Sequence, residues 1–191
     1  MDALSRVLKF IWMLRAIFYK PFMHRFGWFS YIGPTCYLSG VKHFSFGDRV
    51  RIYPNARIES LGGSIEIGNN VSIGQNLHIV SVNNVRIGKD TTISSNVFVS
   101  DVDHQYEALG VHIMEQPLDV KSTHIGDNCF IGYGSVIMPG TILGKHCIVG
   151  ANSVVKGIFP DYCVIAGSPA RIIKYYDSNE QCWVQTSSKK L

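Results

Sequence analysis

Phe26, Ile32 and Leu38 stand six positions apart, and the same step recurs through most of the chain. It continues at Phe46, Ile52, Ile58; Ile67, Ile73, Ile79; Ile87, Ile93, Val99; Ile125, Ile131, Ile137; and Leu143, Val149, Val155. A period of six suits neither an amphipathic helix nor a simple alternating strand. It suits a solenoid, in which each block is one short strand and a turn, with its first side chain directed into a shared core. Gly often follows that residue, which permits a tight corner. The failures of the period set the size of the coil. The step from Leu38 to Phe46 carries two extra residues, Ile58 to Ile67 three, Ile79 to Ile87 two and Val99 to Ile125 twenty, whereas Ile137 to Leu143 carries none. Every lengthened step follows the third member of a set. Three blocks therefore make one coil, the insertions share one corner, and the all-β fold expected is a triangular parallel β-helix of about six coils over residues 26–174.

The chain of 191 residues is 46% hydrophobic and 17% charged, which suits one well-buried domain with a small appendage. A net charge of +4 is compatible with an anionic ligand or an acidic membrane surface and is too small to argue for nucleic acid. The five cysteines, Cys36, Cys129, Cys147, Cys163 and Cys182, are odd in number and form no C-x-x-C pair. That argues against a disulfide framework or zinc ribbon and for a reducing, cytoplasmic setting. Residues 1–25 read as an amphipathic helical segment ended by Pro21. Their uncharged runs are too short to span a bilayer, and no small-residue cleavage site follows. Asp2, Arg6, Lys9 and Lys20 fall on one stripe of that helix and Arg15 lies off it. Its broad apolar face either packs on protein or makes peripheral contact with a membrane at its inner face. Residues 175–191 read as a C-terminal tail.

The segments "VSDVDHQYE", "EQPL", "HIGDNCFIGYGSVIMPGTILG" and "VIAGSPARIIK" resemble the hexapeptide-repeat acyltransferases over roughly residues 26–174. Among these the chain looks like the galactoside and maltose acetyltransferases, and most like sugar O-acetyltransferases of cell-surface polysaccharide biosynthesis. The resemblance implies a left-handed β-helix, a hand that spacing alone does not give. It also implies acetyl-CoA as cosubstrate, no metal, and a homotrimer with active sites between subunits. The twenty-residue excursion, loop 103–123, would then wall the site against a neighbour.

Direct acetyl transfer needs a base for the acceptor hydroxyl and donors for the developing oxyanion. The resemblance makes His104 the general base; a backbone carbonyl or one of the nearby carboxylates Asp101, Asp103, Glu107 and Glu115 would orient its ring, and the resemblance favours Glu115. It places Arg171 and Lys174 at the nucleotide phosphates, where Arg binds in bidentate fashion and Lys as a point charge; Lys156 would do similar work. Phe130 and Tyr133 would wall the groove, and Gly132, Gly150, Ala151 and Ser153 would let the pantetheine arm lie close to the backbone. Coil geometry alone explains those small residues equally well. Asn76, His78, Asp101 and Asp103 are candidate contacts to the acceptor sugar. His124, like His78, either lines the groove or is an exposed polar side chain; His43 and His146 read as coil-surface residues, and no histidine trio is spaced for zinc. The function expected is an acetyl-CoA-dependent O-acetyltransferase acting on a saccharide, either a cell-surface polysaccharide or a lipid-linked glycan precursor. The alternatives are an N-acetyltransferase on an amino-sugar nucleotide and a catalytically idle β-helix assembly module.

Overall fold

A computed structural model describes residues 3–186, so Asp2 of the expected stripe lies outside the described residues. Helix α1 runs Ala3–Tyr19 and gives way to a short 3-10 turn, Lys20–Phe22, that contains Pro21. Short parallel strands then wind into three sheets. The first face begins with Arg25–Phe26, the second with Tyr31–Ile32 and the third with Tyr37–Ser39, and the next five coils each add one strand to each face in the same order, while the last adds strands to the first two faces only. The architecture agrees with the left-handed parallel β-helix expected from the resemblance.

The register places the predicted first positions in continuous inner ladders. On the second face Ile32, Ile52, Ile73, Ile93, Ile131, Val149 and Ile165 stack coil upon coil, and all are essentially sealed from solvent. Burying one such aliphatic side chain stabilises the fold by about 2 kcal/mol. Two of the faces carry seven coil strands and the third carries six, so a seventh coil follows the six expected. It was hidden because its corner is shortened: Phe159 follows Val155 after four residues instead of six. The period fails there by deletion, whereas wherever it fails in the earlier coils it fails by insertion.

The corners differ by design. Between the first and second faces, Phe29, Arg49, Asn70, Asp90, Asn128, His146 and Tyr162 all take φ between +53° and +60°. Between the second and third faces, Thr35, Asn55, Asn76, Asn96 and Asn152 take φ between +55° and +63°, with Gly134 completing the column. Beyond the first coil, each residue of these columns turns its N–H toward the coil before it; Asn96 N–H donates to Gln75 O at 2.9 Å and Asn152 N–H to Tyr133 O at 2.7 Å. Asn is enriched here because it tolerates this conformation better than other non-glycine residues. The third corner has no such column and carries the insertions. The glycines that follow the first face are sterically required: a Cβ on Gly88 would lie 2.5 Å from the backbone nitrogen of Asp127 in the next coil.

At the far end the direction reverses. The motif "GSPARIIK" turns the chain back, so that Ala170–Asp177 pairs antiparallel with Cys163–Gly167 and Cys182–Gln185 pairs with it in turn. The boundary expected after residue 174 thus falls inside a strand, and the second face is extended to nine strands. Cys36, Cys129, Cys147, Cys163 and Cys182 are all free thiols.

Candidate active site

The twenty-residue excursion leaves the third corner as a stitched hairpin. Thr123, fully buried, donates from its hydroxyl to Ser100 O at 2.7 Å, which closes the base of the loop. Val102–His104 then pairs antiparallel with Leu118–Val120, placing His104 opposite Leu118. Farther out, Gln116 organises the turn. Its amide oxygen accepts from Ala108 N–H at 3.1 Å and its amide nitrogen donates to Ala108 O and Val111 O, each at 3.1 Å. This residue was missed in the sequence; its place in "EQPL" is the signal that could have marked it.

His104 opens onto a cleft of about 550 Å³ lined by Asp103, His104, Gln105, Tyr106, Glu107, Asp119 and Lys156. Its Nδ1 is buried and has no hydrogen-bond partner. Glu115 therefore does not orient the ring within one chain: it sits exposed on the short turn Ile113–Glu115 and does not line the cleft. Lys156, expected at coenzyme A phosphates, instead shares the cleft with His104 because both lie at the third corner. Asp103 accepts the His104 backbone N–H at 2.9 Å and is exposed.

Asp101 requires a correction. It is wholly buried, and its carboxyl accepts from Val82 N–H at 2.8 Å, Asn83 N–H at 2.9 Å and the Ser81 hydroxyl at 2.8 Å. It fastens the loop's departure point to the coil below and has no face left for a sugar. Ser153 is also turned inward; its hydroxyl donates to Gly150 O at 2.7 Å and accepts from Gly167 N–H at 3.2 Å. Gly132 is buried, and a Cβ there would meet Val149 O at 2.6 Å, so its smallness serves coil stacking. Asn76 belongs to the corner column, and its amide donates to Asn96 Oδ1 at 2.7 Å. His78 lies on the third face with Nε2 3.4 Å from Glu59 Oε2 and its ring edge-on to Phe98. The hydrogen bond from Arg57 to Glu59 holds that carboxyl below its usual range.

The other candidates gather elsewhere. Phe130, Ile148, Val164 and Lys174 occupy one outward row of the second face, an apolar track that ends in an ammonium group. Exposed Tyr133 and Ala151, with Gly150, flank it at the adjoining corner, and exposed Arg171 lies on the same strand as Lys174. That row fits a pantetheine arm followed by phosphates. The candidates thus sort onto two edges of the triangle, with the third face between them. Among the described residues no group of three or more His, Cys, Asp or Glu side chains is placed to hold a metal ion.

The family described as "Bacterial transferase hexapeptide (six repeats)" matches residues 122–157. The chain is 34% identical over 156 residues to the putative lipopolysaccharide biosynthesis O-acetyl transferase WbbJ of Escherichia coli K12, covering 78% of this chain and 80% of that one. It is 33% identical over 124 residues to the galactoside O-acetyltransferase of the same organism, covering 64% of this chain and 59% of the relative. Among solved structures, a galactoside acetyltransferase in complex with coenzyme A aligns with a TM-score of 0.61 at 25% identity, covering 91% of this chain and 75% of that one. The N-acyltransferase AntD of Bacillus cereus aligns with a TM-score of 0.75 at 20% identity, over 86% of this chain and 90% of that one, a likeness of fold.

Proposed function

The chain belongs to the hexapeptide-repeat acetyltransferases, and on that premise we propose that it transfers the acetyl group of acetyl-CoA to a saccharide hydroxyl, as a cytoplasmic homotrimer. The observation that carries this reading is His104, held at the base of a stitched hairpin and facing a polar cleft of about 550 Å³. Its neutral imidazole takes the proton of the acceptor hydroxyl as the oxygen attacks the thioester carbonyl. A C–O bond forms, the C–S bond breaks, and the imidazolium returns its proton to the departing thiolate. Likeness to an O-acetyl transferase of lipopolysaccharide biosynthesis supports a cell-surface glycan, or a lipid-linked precursor of one, as the acceptor. The unpaired thiols support a reducing compartment.

The orphaned Nδ1 supports a site shared between subunits. A buried ring nitrogen without a partner is costly, and a neighbouring chain would supply the missing group. The separation of the His104 edge from the Phe130–Lys174 row supports the same arrangement, since one subunit's base would then meet its neighbour's apolar track. Arg171 and Lys174 would receive the phosphates, and Phe130 and Tyr133 would wall the arm.

Two experiments test this. Incubation with acetyl-CoA and a panel of glycans and nucleotide sugars, read by mass spectrometry and fragmentation, should place one acetyl group on an oxygen; acetylation on nitrogen alone would transfer the chain to the amino-sugar class. Mixed trimers of His104→Ala chains with Lys174→Ala/Arg171→Ala chains should regain part of the activity that each homotrimer lacks. No recovery in verified mixed trimers would sink the shared site.

A further inference from the structure

Helix α1 is mounted against the usual rule. A surface helix of a globular domain turns its apolar stripe to the core and its charges to water. Here Lys9, Trp12, Arg15 and Ala16 face the coil. Lys9 Nζ lies 5.7 Å from the Tyr53 ring centre, and Arg15 donates to Gly33 O at 3.1 Å. Trp12 packs 5.7 Å from Tyr31, and Ala16 is buried against the same wall. The opposite stripe, Leu4, Val7, Ile11, Leu14 and Phe18, faces outward, with Phe18 78% exposed. The apolar surface continues past the helix through Phe22 and through the corner residues Trp28 and Phe29, which are 69% and 71% exposed. The corner position forces Phe29 into φ +57°, an uncommon conformation for an aromatic residue, and holds it outward.

Charge states which surroundings suit this surface. Between residues 3 and 47 stand six of the chain's 18 Lys and Arg and none of its 14 Asp and Glu. The rest of the chain therefore holds 12 basic against 14 acidic residues, so the positive balance resides wholly in the segment that carries the apolar stripe. Arg6 and Arg25 are exposed, and Lys20 Nζ sits 3.4 Å over the Trp28 ring. Apolar side chains rimmed by cations, with tryptophan at the boundary, match the interfacial zone of an anionic bilayer. At 17 residues α1 is shorter than the ~20 that span a hydrocarbon core. No helix among the described residues is long and apolar enough to cross a membrane.

We propose that the outward face of α1, together with Phe22, Trp28 and Phe29, is a docking surface for an anionic phospholipid bilayer, on which the helix lies in the plane of the headgroups. The inference rests on the helix and its charge and is independent of the acceptor's identity. Lys9 and Arg15 hold the helix to the coil while its apolar stripe enters the lipid.

Co-sedimentation of the full chain with vesicles decides the matter. The protein should pellet with mixed phosphatidylcholine–phosphatidylglycerol vesicles and remain in solution with phosphatidylcholine alone. High salt should weaken binding by about tenfold, because the cations attract headgroups through screened charge. Leu14→Glu/Phe18→Glu should lower binding by more than tenfold, and Arg6→Glu/Lys20→Glu should lower it on anionic vesicles. Both variants should keep the oligomeric state and the coenzyme A affinity of the parent. The proposal is overturned if the parent ignores anionic vesicles, or if the Glu variants bind as well as the parent. It is also overturned if Leu14→Glu/Phe18→Glu changes the oligomeric state, which would make this face an interface between copies of the chain.

Discussion

The coil that ends at Ser100 and the hairpin that starts at Val102 are neighbours in sequence and obey opposite rules. In the coils the strands run parallel from one coil to the next, the first residue of each block is an aliphatic or aromatic side chain turned inward, and the left-handed corners repeat with the period. In the hairpin the pairing is antiparallel, nearly every side chain is exposed, and order depends on single side chains such as Gln116. The coil is rigid because one residue's failure is shared among stacked neighbours. The hairpin has no such reserve, yet it supplies the concave wall that a flat-faced prism lacks. Chemistry is proposed at the join, where His104 sits on the first hairpin strand as it leaves the coil and the irregular loop shapes the space around it.

His104→Ala is the strongest test of that division. Turnover should fall by about 10²–10⁴-fold, the range for a lost general base. The thermal midpoint and acetyl-CoA affinity should stay close to those of the parent, because His104 lies outside the coil core. A variant with turnover within about threefold of the parent would remove the base from this histidine.

Asp101→Ala should do the reverse and damage the scaffold first. Three donors would lose a buried acceptor, and hydrogen bonds to such a group are worth about 1.5–3 kcal/mol each. A loss of about 3 kcal/mol or more is expected by denaturant titration. Asp101→Asn would turn one amide N–H₂ toward a backbone N–H donor and should fare little better. Loss of activity at unchanged stability would return Asp101 to the acceptor site.

Gln116→Ala should come next. Three loop hydrogen bonds vanish, but they join exposed loop segments, so global stability should change by about 1 kcal/mol or less while the loop loosens. Faster amide exchange at Ala108 and Val111 and a roughly tenfold drop in kcat/KM are expected. Unchanged exchange would mean that the hairpin strands alone hold the loop.

The coil was legible because its rule repeats: a misread at one block is corrected by its neighbours. Even the corner that holds the excursion could be identified, since insertions were confined to it. The seventh coil is less legible because its corner is shortened, so that Phe159 falls off the six-residue step. At the site, the position of His104 was marked by motif, but the partners of a loop histidine depend on how the loop returns, which no period governs. Glu115 was placed by likeness, and the structure leaves it off the cleft. Asp101 and Asp103 looked equivalent in "VSDVDH", two residues apart on what reads as one strand. The chain turns at Asp101, so one carboxyl points into the corner and the other into solvent.

The smallest effect expected is no effect at all, and it probes the other half of the comparison. Cys129, Cys147 and Cys163 occupy one interior column on successive coils, each buried, with the Cys147 and Cys163 sulfurs 3.6 Å apart. Each thiol donates to a carbonyl at the coil edge, as Cys147 does to Pro160 O at 3.2 Å. All three sulfurs are sealed inside the coil, so a reagent in solvent has no path to them. Cys182 lies exposed on the final hairpin and supplies an internal control. A thiol reagent added to the native protein should therefore modify Cys182 rapidly and leave the column untouched until denaturant is added. Peptide mapping of the labelled sites reads this directly. Fast labelling of the column would mean that the coils open as readily as the loop, and the contrast between rigid prism and adaptable arm would fall with it.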